Sequence, residues 1–187
     1  MANSRARVVA LCGPPGAGKS ALASALATTL PRSVRVDGDD YQQFTQLDPA
    51  VVTSWLQQDG NYDRLPMPGL IEAIYAAAAP PVDWVLFESH CGRAHSDSAA
   101  VIDFLVWIDT PLDIAMARKF QQLLSQTPAV SRPWLIDYCQ LYCSTVAPLL
   151  NQQRRLVMST ADLCVDGRLS VAELSDQIIS AIAPRVP

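Results

Sequence analysis

The chain of 187 residues contains no CxxC pair, no surplus of positive charge and no long apolar run. Its five cysteines are an odd number at scattered positions, which is typical of reduced thiols rather than of a disulfide framework. No apolar run reaches the roughly 18 residues that a membrane span requires, and the N-terminus lacks the apolar core of a signal peptide. We therefore expect a cytoplasmic protein that does not enter a membrane.

The charge balance excludes further classes of partner. The net charge is −4 and the pI is about 5.0, which argues against a general nucleic-acid or anionic-membrane binder. Hydrophobic residues make up 50% of the chain, enough for a full core. Because no repeat, linker or low-complexity tract interrupts the sequence, we expect one domain over residues 1–187.

The most informative stretch is GPPGAGKS, residues 13–20. It matches the phosphate-binding loop (Walker A) pattern GxxxxGK[ST] at every fixed position. An apolar run, 8–12, precedes it, and helix formers with Leu22, Leu26 and Leu30 on one face follow it. The strand, glycine turn and helix favour a nucleotide-binding loop over a chance glycine turn in front of an amphipathic helix.

The spacing suits a polyphosphate, because backbone amides at a helix N-terminus bind anions. Two prolines at 14 and 15 have no N–H, so the amides of residues 16–20 should form the cradle. Lys19 should contact the β and γ phosphates of ATP, and the Ser20 hydroxyl should bind Mg²⁺. The predicted nucleotide-binding residues are Gly13, Pro14, Pro15, Gly16, Ala17, Gly18, Lys19, Ser20 and Ala21.

Apolar runs alternate with helical patterns along the rest of the chain. Strands are predicted at 6–12, 33–37, 82–88, 103–109 and 156–159, with 164–166 as an extension of the last strand or a separate segment. Helices are predicted at 19–30, 49–58, 67–79, 111 to about 126, 132 or 133 to 153, and 170–182. This alternation predicts an α/β, three-layer P-loop NTPase fold, with a parallel five-stranded sheet and helices on both faces.

Acidic residues follow several predicted strands, where an open α/β sheet places its ligand crevice. Asp39 is positioned to orient or deprotonate an attacking hydroxyl, with Asp40 as the reserve candidate. Glu88 is positioned to orient a Mg²⁺-bound water. Asp109 either belongs to the site or caps the next helix. The alternative for Asp39 and Glu88 is a turn or capping acid.

Three further segments carry a family resemblance: GDDYQ at 38–42, NYDR at 61–64 and VLFES at 85–89. Together with the glycine loop, they resemble the P-loop small-molecule kinases of the uridine kinase, phosphoribulokinase and pantothenate kinase type. The resemblance implies an ATP- and Mg²⁺-dependent transferase that phosphorylates a hydroxyl of a small molecule. It also implies that Asp39 lies beside the acceptor hydroxyl and that Glu88 is the matching strand-end acid.

The same resemblance implies an acceptor site and a lid. Tyr41, Tyr62 and Arg64 fall in the matching segments and would contact the acceptor. Independently of the resemblance, His90 in the loop after Glu88 either contacts the acceptor or is a surface histidine. Trp55 would line the same site or belong to the core. The lid would cover about residues 111–135, with Arg118 and Lys119 either clamping phosphates or forming a solvated helix face.

Two other functions stay open at this point. A nucleoside monophosphate kinase should dedicate several arginines to the acceptor phosphate, yet only Arg35 and Arg64 occur between residues 33 and 90. A regulatory ATPase or switch would bind the nucleotide without any acceptor, and the missing NKxD segment disfavours a GTPase. The expected partner is a small-molecule acceptor, with no nucleic acid and no membrane, and homodimer formation is left open.

Overall fold

The computed structural model describes residues 5–43, 47–126, 128 and 130–183. Its centre is a five-stranded, fully parallel sheet in the order β2-β3-β1-β4-β5. The strands are β1 (Arg7–Cys12), β2 (Ser33–Asp37), β3 (Trp84–Ser89), β4 (Phe104–Asp109) and β5 (Leu163–Asp166). The central strands are continuous apolar runs because both faces of a parallel sheet are buried.

Helices cover the sheet on both faces. They are α1 (Lys19–Thr29), α2 (Pro49–Gln58), α3 (Leu70–Ala77), α4 (Ser96–Val101), α5 (Leu112–Ser125), α6 (Arg132–Leu141), α7 (Ala147–Met158) and α8 (Val171–Ile182). Within the described part of the chain, none of them is long and apolar enough to cross a membrane. The parallel five-stranded sheet with helices on both faces confirms the predicted α/β, three-layer P-loop NTPase fold.

Alternation along each strand divides the core into two layers. On β1, Val9 and Leu11 face the layer that contains α1 and α8, whereas Val8 and Ala10 face the layer that contains α3. Neighbouring strands contribute their alternate residues in the same way. The strand β1 is thereby fixed from both sides, and the loop that follows it starts from a rigid position.

The segment 156–159 was predicted as a strand, and this prediction is wrong. These residues belong to the end of α7 and the turn after it. The buried residues of α7, Leu150, Gln153 and Val157, follow a helical spacing, so the apolar residues near 156 continue a helix face. The last strand is β5, which contains the short segment predicted at 164–166.

Other element boundaries also differ from the prediction. The single helix expected to end at 153 is divided into α6 and α7 by one π-helical turn, Tyr142–Val146. The short helix α4 was not predicted. The N-cap of α5 is Pro111, and no side-chain hydrogen bond caps this helix.

The carboxyl ends of the parallel strands meet at one edge of the sheet, where α/β proteins bind ligands. β1 lies between β3 and β4, with Leu11 opposite Glu88. On the other side of β3, Asp37 is also opposite Glu88. The glycine loop, the acidic turn after β2 and the loop after β3 are therefore neighbours in space.

Candidate active site

The glycine loop forms the floor of the site. Gly16 and Gly18 have positive φ angles of +84° and +95°, which L side chains rarely adopt. Gly18 is the N-cap of α1, so the helix begins at Lys19 with its amides directed toward the loop. The amide of Ala17 donates to the carbonyl oxygen of Pro14 at 3.0 Å, closing the turn. The loop therefore has the strand, glycine turn and helix start that the sequence predicts, and anion binding by its amides stays a prediction.

The loop also packs directly against α5. A methyl group placed on Gly16 would lie 2.0 Å from the carbonyl oxygen of Ala115, whereas one placed on Gly18 would meet no heavy atom within 4 Å. Gly16 therefore permits a backbone contact that joins the loop to the predicted lid region. Residues 127 and 129 of that region lie outside the described residues.

We expect Gly16→Ala to destabilise the protein more than Gly18→Ala. Both substitutions place alanine at positive φ, which costs about 1 kcal/mol. Only Gly16→Ala adds the clash with α5, and we expect its total loss to be about 3 kcal/mol. Urea unfolding of the two variants measures the difference, and equal losses would contradict the observed packing of the loop on α5.

Lys19 is held inside its own loop. Its Nζ donates to the carbonyl oxygens of Gly13 at 3.1 Å and Pro14 at 3.3 Å. Desolvation of the enclosed ammonium lowers the pKa of Lys19, and the nearby carboxylates of Asp39 and Glu88 oppose that shift. The ammonium has only neutral carbonyls as hydrogen-bond partners here, so it is suited to exchange them for phosphate oxygens.

Ser20 and Glu88 are in direct contact. The Ser20 hydroxyl donates to Glu88 Oε2 at 2.6 Å, and Arg35 donates to Glu88 Oε1 at 2.7 Å. Glu88 is only 3% exposed. The pair offers the hard oxygen ligands that suit Mg²⁺. Across the described ranges no cluster of three metal-ligating side chains occurs, so phosphate oxygens and water would have to complete the coordination, as is usual for this ion.

Asp39 also lines the cleft, in a 3₁₀ turn that follows β2. Its backbone amide donates to Asp37 Oδ1 at 3.0 Å, which fixes the turn. Its side chain is 73% exposed, with Oδ1 at 3.9 Å from Nδ1 of His90. Burial lowers the pKa of His90, and the Asp39 carboxylate opposes this shift. Asp39 is therefore an accessible carboxylate beside a neutral imidazole at pH 7.

Two cations of α5 face the same cleft. Arg118 donates to the carbonyl oxygen of Gly167 at 2.8 Å, in the loop after β5. Lys119 is the next residue of the same helix, with Nζ 3.5 Å from Gln122 Oε1. Neither side chain has an acidic hydrogen-bond partner among the described residues, so both are suited to contact phosphate oxygens.

These residues line one cleft of about 460 Å³, which we call the phosphate cleft. Its walls combine the glycine loop, the acids after β2 and β3, His90 and the cations of α5. The predicted site residues that it brings together are Gly13, Pro15, Gly16, Gly18, Lys19, Ser20, Ala21, Asp39, Glu88, His90 and Arg118. Pro14 and Ala17 are buried in the loop beneath it.

A second cavity of about 370 Å³, which we call the apolar cavity, adjoins the phosphate cleft. The two share Pro15, Asp39 and His90. Tyr62, predicted to contact the acceptor, lines the apolar cavity, and most of the remaining wall comes from α6, the π-helical turn and α7. Asp39 is thus accessible from both cavities, whereas Asp40 lines neither.

Other predicted residues lie elsewhere. Arg64 donates to Gln58 Oε1 at 3.0 Å on the surface and lines neither cavity. Tyr41 packs against the core layer that contains α3. Trp55 is buried. Asp109 does not cap α5 but accepts two hydrogen bonds of 2.9 Å from Arg154.

Sequence reasoning missed the wall of the apolar cavity. Trp134, Tyr138 and Leu141 line it from α6, and Gln153 lines it from α7. The spacing of the three α6 residues, at i, i+4 and i+7, is a signal of a shared helix face. No sequence pattern indicates that this face turns toward the glycine loop.

The fold and the glycine loop define the class of structure: the chain has the fold of P-loop kinases. A shikimate kinase from Acinetobacter baumannii in complex with shikimate has a TM-score of 0.56 at 16% identity, with 95% of this chain and 93% of that chain covered. A sugar kinase from Janibacter sp. has a TM-score of 0.54 at 14% identity, with 96% of both chains covered. An APS kinase from Mycobacterium tuberculosis in complex with AMPPNP and APS has a TM-score of 0.51 at 16% identity, with 95% and 98% covered.

No protein-family model matches the chain, and no curated protein matches it either. At 14 to 16% identity, the structural likeness shows the fold and does not identify a substrate.

Proposed function

We propose that this protein is an ATP- and Mg²⁺-dependent kinase that transfers the γ-phosphoryl group to a hydroxyl of a small molecule. One observation carries the proposal: Asp39 lies where the phosphate cleft meets a second cavity large enough for a small acceptor. A hydroxyl bound in that second cavity could approach both Asp39 and a phosphate held by the glycine loop. In-line phosphoryl transfer requires that arrangement.

In this proposal each group of residues has a separate role. The amides of the loop and Lys19 would bind the β and γ phosphates. Ser20 and Glu88 would hold Mg²⁺, which when bound neutralises phosphate charge. Asp39 would orient the acceptor hydroxyl and accept its proton, and Arg118 with Lys119 would neutralise charge on the transferring group from the side of α5.

The motifs at 38–42, 61–64 and 85–89 support a place beside the uridine kinase-like group. The position of the arginines argues against a nucleoside monophosphate kinase. Arg35 is paired with Glu88, and Arg64 lies on the surface. Within the described ranges, no arginine or lysine lines the apolar cavity, so an acceptor phosphate would have no cation there.

The test is ADP release from ATP, with and without Mg²⁺, in the presence of a panel of hydroxyl compounds. The panel contains nucleosides, pantothenate and pantothenol, sugars and amino alcohols. We expect one class to raise Mg²⁺-dependent ADP release by at least about 100-fold over ATP alone, since positioning and base catalysis both act only with the acceptor bound. Saturable ATP binding with no acceptor effect would instead favour a regulatory ATPase.

A further inference from the structure

The apolar cavity has an aromatic wall. The rings of Trp134 and Tyr138 stack on α6, with centroids 5.3 Å apart and an interplanar angle of 18°. Tyr62 faces the cavity from the turn after α2 and is itself fixed by an edge contact with Trp55 at 5.3 Å. Aromatic faces of this kind favour a flat, apolar ligand.

The π-helical turn completes this wall. Thr145 and Val146 in that turn line the cavity, as does Leu149 at the start of α7. The Thr145 hydroxyl lies 3.3 Å from the Thr53 hydroxyl, which joins the turn to α2. Single π turns in helices often occur at functional sites. Here the turn places Thr145 and Val146 in the wall of the cavity.

The charge of the cavity disfavours anionic ligands. Among the described residues that line it, Asp39 is the one acidic residue, and no lysine or arginine lines it. A carboxylate or phosphate on the acceptor would lose its hydration beside Asp39 without gaining a cation.

Gln153 supplies a polar group inside the apolar wall. It is 3% exposed, and its Nε2 donates to the carbonyl oxygen of His90 at 2.6 Å. That carbonyl can only accept, so it fixes which end of the amide is the oxygen. Within the described residues, Gln153 Oε1 has no hydrogen-bond partner. A buried oxygen without a partner is a suitable acceptor for a donor group on a ligand.

We propose that the acceptor is an uncharged alcohol with an apolar, ring-bearing body and a second donor group that binds Gln153. The reacting hydroxyl lies at Asp39, the ring lies along Trp134 and Tyr138, and the second hydroxyl or N–H donates to Gln153 Oε1. This inference rests on the proposed kinase function, because it identifies the apolar cavity as the acceptor site of that reaction.

Matched pairs of ligands that differ in one carboxylate test the charge argument. The pairs are 1-phenyl-1,2-ethanediol with mandelate and pantothenol with pantothenate. Binding is followed by the fluorescence of Trp134, with Trp134→Phe identifying its signal, and needs no ATP. We expect the neutral member of a pair to bind at least tenfold more tightly. Equal or tighter binding of the anionic members, or no binding by any neutral member, would overturn the inference.

A cation placed in the wall provides an independent test. Leu141→Arg adds a charge at a partly exposed position that lines the cavity, and Ile136→Arg adds the same charge on α6 at an exposed position outside it. We expect Leu141→Arg to shift the preference toward mandelate by about tenfold and Ile136→Arg to leave it unchanged. The same shift in both variants would show a general charge effect and would overturn the assignment of this cavity.

Gln153 is tested with Gln153→Met, which keeps the side-chain volume. The variant should weaken binding of 1-phenyl-1,2-ethanediol about tenfold and leave 2-phenylethanol, which lacks the second hydroxyl, within twofold. Equal losses of affinity for both ligands would show that the second hydroxyl does not bind Gln153, and would overturn that part of the proposal. In the unmodified protein, binding of the neutral ligands without any rise in ADP release would refute the kinase proposal while leaving the ligand class in place.

Discussion

Replacement of Lys19 by methionine is expected to reduce ADP release about 10³-fold, because removing a preorganised charge from a transferring phosphoryl group has an effect of this size. Lys19 is one of only two lysines in the chain. Its ammonium already lies against the carbonyls of the glycine loop, beside the space that the phosphates would fill. Methionine keeps the length of the side chain and removes its charge, so packing should be little affected.

The control for this variant is Arg155→Met, which removes one positive charge from an exposed position on α7. It should retain the original rate, and both variants should unfold at similar urea concentrations. ADP release is measured at saturating ATP with the best acceptor. A Lys19→Met enzyme that kept more than about a tenth of the original rate would contradict the role assigned to the loop.

Asp39→Asn is expected to reduce acceptor-dependent turnover roughly 10² to 10⁴-fold, the range for loss of a positioned general base. The amide keeps the shape of the side chain but cannot accept the hydroxyl proton. ATP binding should remain unchanged, because the glycine loop and Lys19 form the phosphate contacts. Acceptor-dependent ADP release is compared with a separate measurement of nucleotide affinity. This comparison distinguishes a loss of base catalysis from a loss of ATP binding.

Asp40→Asn is the matched control, since Asp40 is the adjacent acid on the same turn and lines neither cavity. It should keep nearly the full rate. If Asp40→Asn lost turnover while Asp39→Asn retained it, the base would be Asp40. If both variants kept the full turnover rate, neither carboxylate of this turn would act as the base.

Local patterns in the sequence were enough to predict the strand, glycine turn and helix of the loop at 13–20, and its role in binding phosphate stays a prediction. The loop at 13–20 combines fixed spacing, a preceding strand and a following helix, and all three are properties of a short stretch of chain. Apolar runs ending in an acid likewise predicted β3 and β4, because burial on both faces leaves a clear signal. The wrong strand at 156–159 shows the limit of this approach, since four residues are too few to separate a strand from the last turn of a helix.

Contacts between distant segments could not be predicted in the same way. Arg35 pairs with Glu88 because β2 lies beside β3. The order of strands in a sheet cannot be predicted from the sequence of any single segment. The apolar cavity depends on how α6 and α7 turn at the π-helical segment. That geometry follows from packing against α2 and the loop after β3, which periodicity alone does not describe.

Among the described residues, the two cavities share only Pro15, Asp39 and His90, which has an evolutionary consequence for the proposed kinase. The phosphate cleft is built mainly from the glycine loop, α1, the end of β3 and α5, whereas much of the apolar cavity is built from α6, the π-helical turn and α7. If the proposed function holds, substitutions on those helices would change acceptor selectivity after gene duplication and leave the phosphate cleft intact. Directed-evolution libraries confined to positions 134, 138, 141, 146 and 149 should therefore yield enzymes with new acceptors and an unchanged nucleotide requirement.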